Sequence, residues 1–413
     1  MTRKAVLSLL AATLTCPLFA AEGPVPKGIP HLDHVFVIMM ENHGYSQIIG
    51  NPNAPFINSY AGGANTATHY FAVAHPSLTN YLEVVGGSNF GVLDDNAPDW
   101  HNPSCMPNLQ TGTPSLESTS TAICPIAGSG TDAATPAIDF SNETSGPPGD
   151  INIDGSASFP AATDTLGITI GDQLAAANKS WRSYQESLPM SGADNINYSD
   201  GVFTNLTDFS KILPALNPPL SSSDVVQAYA VKHNPFAYFQ SVQAGAQRKN
   251  SLANVFDFNV LYADLGSGAV PTFSFIAPNQ CNDQHGRGNA GAFCNFDPND
   301  HGGQAGLNPA LIYLGDVTVH RLVKAIRNSP VWRQGNNAIV VLWDENDYSV
   351  SPTTNQVLAI VDTNYGLRGV RSHQFYTHFS LLKSIEAGLG LPCLNHACDS
   401  SVNVMSDMFS PRP

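Results

Sequence analysis

Two continuous apolar runs, residues 35–40 and 338–343, each end in side chains whose oxygen atoms can bind a metal ion. These side chains are Glu41, Asn42, Asp344 and Glu345. Apolar runs of this length are typical of strands buried on both faces, as in a parallel sheet that helices cover. Such sheets bind their ligands beyond the carboxyl ends of the strands, so these polar groups stand where a site would lie.

Two further apolar runs have polar ends of the same kind. Residues 225–231 lead to His233, and residues 271–277 lead to a loop that contains Asp283 and His285. Each run alone is equally consistent with a buried strand that ends in an ordinary polar loop. Because the carboxyl ends of parallel strands share one edge of a sheet, the four ends together predict a single site.

The oxygen-rich set at the ends of the first two runs suits a hard divalent cation. Carboxylate and amide oxygens favour Mg, Ca or Mn, although zinc also accepts carboxylates. Three carboxylates held close together would repel one another, and a divalent cation removes that cost. The alternative for Asp344 and Glu345 is a pair of solvated acids at the end of a strand. Their position after Trp343 and a buried run favours the metal site.

Ser77 is a candidate nucleophile at the start of a predicted helix. Pro76 pushes the residue before it to extended geometry, so Ser77 is a natural N-cap and Gly86 is the predicted stop. Apolar residues recur at helical spacing between them, at Leu78, Tyr81, Leu82 and Val85. A helix N-terminus and a nearby metal ion would both favour the alkoxide. The alternative is a serine that only caps the helix.

Several histidines are further candidates for the site. His233, His285 and His301 each follow a predicted strand or lie beside glycine, where they could bind or protonate a phosphoryl oxygen. A single histidine is more often structural, but three on one predicted edge indicate a function. His378 lies in the last predicted helix and either faces the site or packs in the core. We expect it to face the site.

The first twenty residues have the features of a signal peptide, 1–20. Arg3 and Lys4 provide the positive start, and Ala5–Leu14 forms an apolar core that is too short to span a bilayer. No other stretch of the sequence is long and apolar enough to be a transmembrane segment. We therefore expect an exported protein, periplasmic or secreted, without a stable membrane anchor.

Length and charge limit the classes of partner. The 413 residues fit one large α/β domain with insertions, which we expect to span residues 21–413. The formal net charge of −15 would become −17 once the two basic residues of the signal peptide are removed. An acidic chain with scattered basic residues is a poor candidate for binding nucleic acid or anionic membranes.

Alternating strands and helices predict an α/β fold with a mostly parallel sheet. Further strands are predicted at 181–186 and 356–361, and the helices at 168–178, 250–265, 309–328 and 376–389. Residues 95–165 are rich in Ser, Thr, Gly and Pro, which predicts an insertion, either a lid or a surface flap. The six cysteines after the signal peptide form three local pairs, which predicts the disulfides Cys105–Cys124, Cys281–Cys294 and Cys393–Cys398.

A set of motifs resembles the secreted phosphoesterase family of bacterial and fungal acid phosphatases and bacterial phospholipases C. The motifs occur in the order of that family, over nearly the whole chain after the signal peptide. They are Met40-Glu41-Asn42-His43, His75-Pro76-Ser77-Leu78-Thr79-Asn80-Tyr81, Lys232-His233-Asn234-Pro235-Phe236, Asn282-Asp283-Gln284-His285-Gly286, Trp343-Asp344-Glu345 and Tyr376-Thr377-His378-Phe379-Ser380-Leu381-Leu382.

The resemblance implies an alkaline phosphatase-like fold, in which helices cover both faces of a central, mostly parallel sheet. It implies that Ser77 is the nucleophile and that His233, His285 and His301 surround the phosphate. It also implies a divalent metal ion, held by Glu41, Asn42, Ser77, Asp344 and Glu345. Thr79 departs from the proline that is usual in the family, at a position outside the chemistry.

These inferences predict an exported, metal-dependent acid phosphatase that acts on small phosphorylated substrates through a phosphoserine intermediate on Ser77. The chain is shorter than the phospholipase C branch, which favours monoesters, and a phosphodiesterase of phospholipase C type is the main alternative. A sulfatase of related fold would need a C-x-P-x-R motif, which the sequence lacks. A non-catalytic exported protein with a structural metal is a further alternative. The oligomeric state is open.

Overall fold

The computed structural model describes residues 28–90, 131–132, 159–160, 168–188, 229–243, 249–286, 292–299, 302–347 and 355–410. Within these residues the largest element is an eight-stranded sheet. Its strands, in chain order, are β1 His34–Met40, β2 Asn65–Ala67, β3 Trp181–Gln185, β4 Val255–Asp257, β5 Phe273–Ala277, β6 Asn337–Trp343, β7 Ala359–Thr363 and β8 Arg371–Ser372.

The sheet is mostly parallel, as predicted. Its spatial order is β8-β2-β7-β6-β1-β5-β3-β4, and β7 is antiparallel to both of its neighbours. The two most apolar strands, β1 and β6, lie side by side in the middle, with Met40 opposite Trp343. Almost every residue of both strands is buried, on both faces of the sheet. The carboxyl ends of β1, β5 and β6 therefore meet at one edge.

Six helices of seven or more residues occur in the described ranges: α1 Pro55–Gly63, α2 Ser77–Gly86, α3 Ile170–Ala176, α4 Phe258–Ser267, α5 Pro309–Asn328 and α6 His378–Leu389. They form two groups, since α5 packs against α1 and α4, while α2 packs against α3 and α6. With the central strands buried on both faces, this is the predicted α/β arrangement of a sheet between two layers of helices. No helix among the described residues is long and apolar enough to cross a membrane.

Local sequence explains where two of these helices begin and end. The side chain of Asn308 accepts hydrogen bonds from the backbone of Ala310 and Leu311, which fixes the start of α5 at the predicted residue. The last residue of the helix α2 is Gly86, the predicted stop, and its left-handed C-cap is Gly87, which has a φ of 70°. A side chain at Gly87 would place its Cβ atom 2.5 Å from the carbonyl oxygen of Leu394, so only glycine fits there.

Two predicted elements differ from the structure in type, and others differ in their bounds: the strand predicted at 356–361 is β7, Ala359–Thr363, and the helix predicted at 376–389 begins at His378. Residues 229–233, the described end of the run from residue 225, are a loop and a short 3-10 turn, Val231–His233, and not the end of a strand. The predicted helix 250–265 is divided into a 3-10 turn, Leu252–Asn254, the strand β4 and then the helix α4. Both segments are apolar enough for either structure, so pairing with the sheet or its absence decides the outcome.

The disulfides Cys281–Cys294 and Cys393–Cys398 form as predicted. The first one connects the loop after β5 to residues 292–299. The predicted pair Cys105–Cys124 lies outside the described residues, as does the insertion at 95–165 except for a short antiparallel pair, Thr131–Asp132 with Phe159–Pro160.

Candidate active site

Three buried carboxylates lie together at the carboxyl edge of the central strands. Glu41 follows β1 and Asp344 follows β6, and the backbone N–H of Asp344 donates to the carbonyl of Met40 at 3.0 Å. One carboxylate oxygen each from Glu41, Asp344 and Glu345 lies within 4.8 Å of the others. The adjacent strand ends therefore bring together the acidic residues in the way that the sequence predicted.

The geometry of Asp344 fits a bound cation. Its Oδ1 accepts the backbone N–H of Asn42 at 3.0 Å, and its buried Oδ2 has no hydrogen-bond partner within the described part of the chain. Burial raises the pKa of Asp344 well above its usual value, and the charges of Glu41 and Glu345 raise it further. A buried oxygen without a partner, in a group of crowded carboxylates, is the setting that a hard cation stabilises.

Asn42 adopts a left-handed backbone conformation, with a φ of 54°. Asparagine tolerates this conformation better than most residues do. The turn directs the Asn42 N–H to Asp344 and so holds the ends of β1 and β6 together at the acidic group.

Ser77 is the first residue of α2, and Pro76 rather than Ser77 is the N-cap. Freed from capping, its Oγ lies 3.0 Å from Oε1 of Glu345 and 3.2 Å from Oε2 of Glu41. The hydroxyl has one proton, so it donates to one carboxylate at a time. Lys232 Nζ also donates to this oxygen, at 3.2 Å. The serine hydroxyl is thus connected to both acids and to a cation.

Glu345 is held in place by two side chains near Ser77. Asn80 Nδ2 donates to its Oε2 at 3.1 Å, and His75 Nδ1 lies 2.8 Å from the same oxygen. Asn80 lies three residues after Ser77 on α2, so both side chains project from one face of the helix. Its other hydrogen bonds go to the backbone of residues 73 and 74, which fixes the turn before the helix.

His233 lies between two acidic side chains. Its Nε2 is 2.6 Å from Oε1 of Glu41, its Nδ1 is 3.1 Å from Oδ2 of Asp283, and its ring stacks on Tyr81. Burial lowers the pKa of His233, but the charge of Glu41 and contact with Asp283 outweigh this and raise it to about 9. Burial also opposes the ionisation of Glu41, yet His233 and Lys232 hold its pKa well below the usual value.

The loop after β5 brings a second histidine to the site. The backbone N–H of His285 donates to Oδ1 of Asp283 at 2.7 Å, and the carbonyl of Asp283 accepts the N–H of Glu41 at 2.9 Å. His285 Nδ1 lies 2.8 Å from the carbonyl oxygen of Gly286, and Nε2 lies 3.2 Å from Lys232 Nζ. Neutral His285 therefore carries its proton on Nδ1 and accepts from Lys232 through Nε2.

Burial sets the protonation of this loop. It raises the pKa of Asp283 to about 6, against the opposing effect of His233. It lowers the pKa of His285 to about 4, and the charge of Lys232 lowers it as well. His285 is therefore neutral at neutral pH and gains its proton only in acid.

The remaining histidine predictions have different outcomes. His301 lies outside the described residues. His378 is the first residue of α6, and its Nε2 lies 2.6 Å from the carbonyl oxygen of Asp344, while its Nδ1 lies 3.2 Å from the hydroxyl of Tyr70. His378 thus holds the backbone of Asp344 in place. Burial lowers its pKa to about 4.

Sequence reasoning missed several groups that the structure brings to the site: Lys232, Asp283 in its contact with His233, Asn80 and His75. Two of them had a signal in the sequence. Lys232 directly precedes a candidate histidine, and Asn80 is one helical turn from Ser77.

The chain belongs to the phosphoesterase family, whose model matches residues 51–392. Family membership and the relatives described next make the protein a phosphoric ester hydrolase. A phosphatidylinositol-3-phosphatase of Mycobacterium tuberculosis is 24% identical to this chain over 404 residues, which cover 96% of this chain and 91% of that protein.

Two fungal relatives are longer than this chain. An acid phosphatase of Aspergillus fumigatus is 23% identical over 373 residues, or 90% of this chain and 57% of that protein. A probable acid phosphatase of Kluyveromyces lactis is 24% identical over 371 residues, or 90% of this chain and 61% of that protein. The aligned part is therefore less than two thirds of each fungal protein.

The matches among solved structures are more distant. A phosphonate monoester hydrolase of Agrobacterium radiobacter has 10% identity and a TM-score of 0.45, with 91% of this chain and 77% of that chain covered. An alkaline phosphatase superfamily protein of Vibrio parahaemolyticus has 9% identity and a TM-score of 0.44, with 90% and 69% covered.

Proposed function

We propose that the protein is an exported, metal-dependent acid phosphatase that hydrolyses phosphate monoesters through a phosphoserine intermediate on Ser77. The observation that carries this proposal is the setting of the Ser77 hydroxyl. It lies at a helix N-terminus, within hydrogen-bond distance of two carboxylates and an ammonium group. A serine with a structural role does not need that setting, whereas an oxygen that loses its proton and attacks phosphorus does.

In the first step, Ser77 Oγ attacks phosphorus, and the bond between phosphorus and the leaving oxygen breaks. The hydroxyl proton passes to the carboxylate of Glu345, whose Oε1 lies 3.0 Å away. The positive end of the α2 dipole favours the negative charge that develops there. Water then hydrolyses the phosphoserine, which releases phosphate and restores the hydroxyl.

Lys232 and His285 act on the phosphoryl group and on the leaving oxygen. Lys232 Nζ lies 3.2 Å from both Ser77 Oγ and His285 Nε2, so a phosphoryl group on Ser77 would contact both side chains. Lys232 neutralises the phosphoryl oxygens, and protonated His285 donates its Nε2 proton to the leaving alcohol. Since the pKa of His285 is lowered to about 4, this form is populated on the acid side and lost as the pH rises.

His233 acts as a positioning residue in this proposal, although its sequence motif suggested direct contact with phosphate. Both of its ring nitrogens are already paired, one with Glu41 and one with Asp283. It therefore orients these two carboxylates and balances their charge. His301 stays a predicted phosphate ligand.

Glu41, Asp344 and Glu345 would hold a divalent metal ion, with Asn42 and Ser77 as further ligands. The oxygen-rich donor set suits Mg, Ca, Mn or Zn. When bound, the ion would compensate the charge of the three carboxylates and favour the ionised form of the serine hydroxyl.

The apolar N-terminal segment and the two disulfides support export, to the periplasm or outside the cell, after removal of residues 1–20. We assign residues 21–413 to a single phosphoesterase domain with an insertion at 95–165. Its substrates are small phosphorylated molecules rather than nucleic acids, in keeping with the acidic net charge.

The test is phosphate release from p-nitrophenyl phosphate and from glycerol 2-phosphate across acidic and neutral pH. Wild type and Ser77→Ala are compared, before and after treatment with a chelator and after return of single divalent metals. We expect activity on the acid side that is lost with the chelator, restored by a metal and absent in Ser77→Ala.

A bis(p-nitrophenyl) phosphate assay separates the monoesterase from its main alternative. Faster hydrolysis of this diester than of the monoester, dependent on Ser77, would replace the proposal by a phosphodiesterase. Tight metal binding without any turnover of either ester would favour the non-catalytic alternative.

A further inference from the structure

An exposed aromatic side chain lies beside the candidate active site. The side chain of Phe296 is 51% exposed, although large apolar side chains of the described residues are mostly buried. It belongs to residues 292–299, which the disulfide Cys281–Cys294 connects to the loop that carries His285. Exposed aromatic residues next to a site are candidates for binding an apolar part of the substrate.

A short series of contacts connects Phe296 to the nucleophile. Its ring meets the ring of His285 edge to face, with the centroids 5.7 Å apart. His285 Nε2 is in turn 3.2 Å from Lys232 Nζ, which donates to Ser77 Oγ. A group attached to a phosphoryl group at Ser77 and directed past His285 would therefore reach Phe296.

Phe296 also lines a cavity of about 500 Å³ at the surface. The lining residues are Ala292, Asn295, Phe296, Asp297, Pro298, Asn308 and Pro309. This volume is in the range of pockets that hold small organic ligands.

Two of the polar residues that line this cavity are occupied within the protein. Oδ2 of Asp297 lies 2.9 Å from Nε2 of His43, and its Oδ1 accepts the backbone N–H of Asn308. The side chain of Asn308 donates to the carbonyls of Ala292 and Asn295. The lining that remains open to a ligand is mainly apolar, from Phe296, Ala292 and two prolines, with the exposed residue Asn295 as its third polar member.

The position of Phe296 is fixed from several sides. Asp297 is held by its contact with His43, which adjoins Asn42 in the acidic site. Gly286 has a φ of 87°, and a Cβ atom there would lie 3.1 Å from the backbone nitrogen of Phe296. The absence of a side chain at Gly286 thus allows the two segments to pack closely, which places the Phe296 ring against His285.

We propose that the cavity beside Phe296 is a subsite for the leaving group, and that it selects phosphate monoesters whose leaving group is apolar, above all aromatic. This inference rests on the proposed phosphatase function of the same site. An aryl alcohol and the acyl chains of a lipid phosphate share the required chemistry. The acidic net charge disfavours binding to an anionic lipid surface. We therefore expect the subsite to bind single dissolved molecules.

The test measures binding without turnover of the ligand. With glycerol 2-phosphate as substrate, inhibition constants are determined for phenylphosphonate and for methylphosphonate, in wild type and Phe296→Ala. We expect wild type to prefer phenylphosphonate, and the ratio of the two constants to change about tenfold in Phe296→Ala, the size of a good aromatic contact. Phe296→Trp should keep the preference.

Leu367→Ala is the matched control, because Leu367 is an exposed apolar residue, 38% accessible, outside the cavity. Its activity and its ratio of inhibition constants should equal those of wild type. An unchanged ratio in Phe296→Ala, in an active enzyme, would overturn the subsite. Wild type that hydrolyses no phosphate ester would instead overturn the proposed function, so the two failures are distinguishable.

A lipid comparison identifies the source of the apolar group. Hydrolysis of dihexanoyl phosphatidic acid is measured below its micelle concentration and compared with phosphatidic acid in vesicles. A loss in Phe296→Ala on the dissolved lipid supports the subsite. A loss confined to vesicles would contradict it, since Phe296 would then contact a membrane and not a leaving group.

Discussion

Buried carboxylates lie at two opposite edges of the central sheet, one where β6 ends and one where it begins. Their negative charge is compensated differently at the two edges. Asp344 follows the end of β6, whereas Asp362 on β7 pairs with Ile339 near the start of β6. Asp362 accepts hydrogen bonds from Arg327, Arg368 and the hydroxyl of Tyr60.

At the edge of Asp362 the chain itself supplies the positive charge. Two arginines, which are permanently charged, satisfy one fully buried carboxylate. At the edge of Asp344 three carboxylates share the space, and one buried oxygen of Asp344 has no hydrogen-bond partner in the described ranges. The difference separates a carboxylate that stabilises the fold from carboxylates that we propose hold a divalent metal ion.

The largest expected effect is the loss of activity in Ser77→Ala. Removing the attacking oxygen should lower kcat by at least about 10³-fold, with little change in thermal stability. Phosphate release and a thermal melt are measured on the same samples. Ser267→Ala, which removes an exposed hydroxyl on α4, is the matched control and should be fully active. Full activity of Ser77→Ala would mean that the carboxylates near Ser77 do not form a catalytic site that uses this serine.

The pair Asp362→Asn and Asp344→Asn tests the comparison in terms of stability. In metal-free protein, Asp362→Asn leaves two arginines without their partner and should lower the free energy of unfolding by about 3 kcal/mol. Asp344→Asn relieves repulsion among the three carboxylates, so the metal-free variant should be at least as stable as wild type. Urea unfolding in the presence of a chelator provides both values.

Addition of a divalent metal should make wild type more stable than Asp344→Asn, the reverse of the order expected without metal. A ligand that binds only the folded protein should stabilise wild type by about 2.7 kcal/mol at a hundredfold excess over its Kd. Asp344→Asn should gain much less, while Asp362→Asn should gain as much as wild type. Equal gains for both variants would place the metal elsewhere.

Lys232→Met tests the lysine that donates to the nucleophile within the described residues. Loss of the positive charge beside Ser77 and His285 should lower kcat/KM by roughly 10²-fold, and Lys232→Arg should restore part of it. Lys324→Met, an exposed lysine on α5, is the control. If both methionine variants keep wild-type kinetics, Lys232 has no part in catalysis.

The smallest expected effect concerns Tyr60, whose hydroxyl donates to Asp362. Burial raises the pKa of Tyr60 well above its usual value of 10.0, and the charge of Asp362 raises it further. The folded state therefore keeps a proton that the unfolded chain loses, so this contribution is complete below pH 10.0 and decreases as the pH rises above it.

Tyr60→Phe removes this dependence together with one hydrogen bond. At neutral pH the variant should lose about 1 kcal/mol of unfolding free energy. Its stability should then fall less steeply than that of wild type at alkaline pH, as urea unfolding at a series of pH values would show. Parallel curves for the two proteins would mean that Tyr60 does not hold its proton through burial.

The sequence predicted the parts of the fold and site that depend on local pattern. The central strands are continuous apolar runs, and the acidic residues follow directly at their ends, so parallel pairing was enough to bring Glu41 and Asp344 together. The prediction of a strand before His233 was wrong, because apolar character alone does not indicate whether a segment pairs with the sheet.

The missed contacts depend on tertiary placement. Lys232 lies between Ser77 and His285 because its 3-10 turn, which is distant from both residues in sequence, packs beside them in the fold. Ser77 was expected to cap its helix, but Pro76 holds that position and the hydroxyl is free for the carboxylates. The roles of all these residues stay proposals, and His301 stays a prediction from sequence.

The most direct test of the central claim is to trap the phosphoryl group on the enzyme. Wild type is quenched in acid during turnover of a phosphate ester labelled in its phosphoryl group, and the labelled peptide is identified. We predict an acid-stable phosphoserine at Ser77 that is absent from Ser77→Ala. A label on the peptides of His233 or His285, found in a parallel sample of active enzyme quenched in alkali, where phosphohistidine survives, would contradict the assignment of Ser77 as the nucleophile.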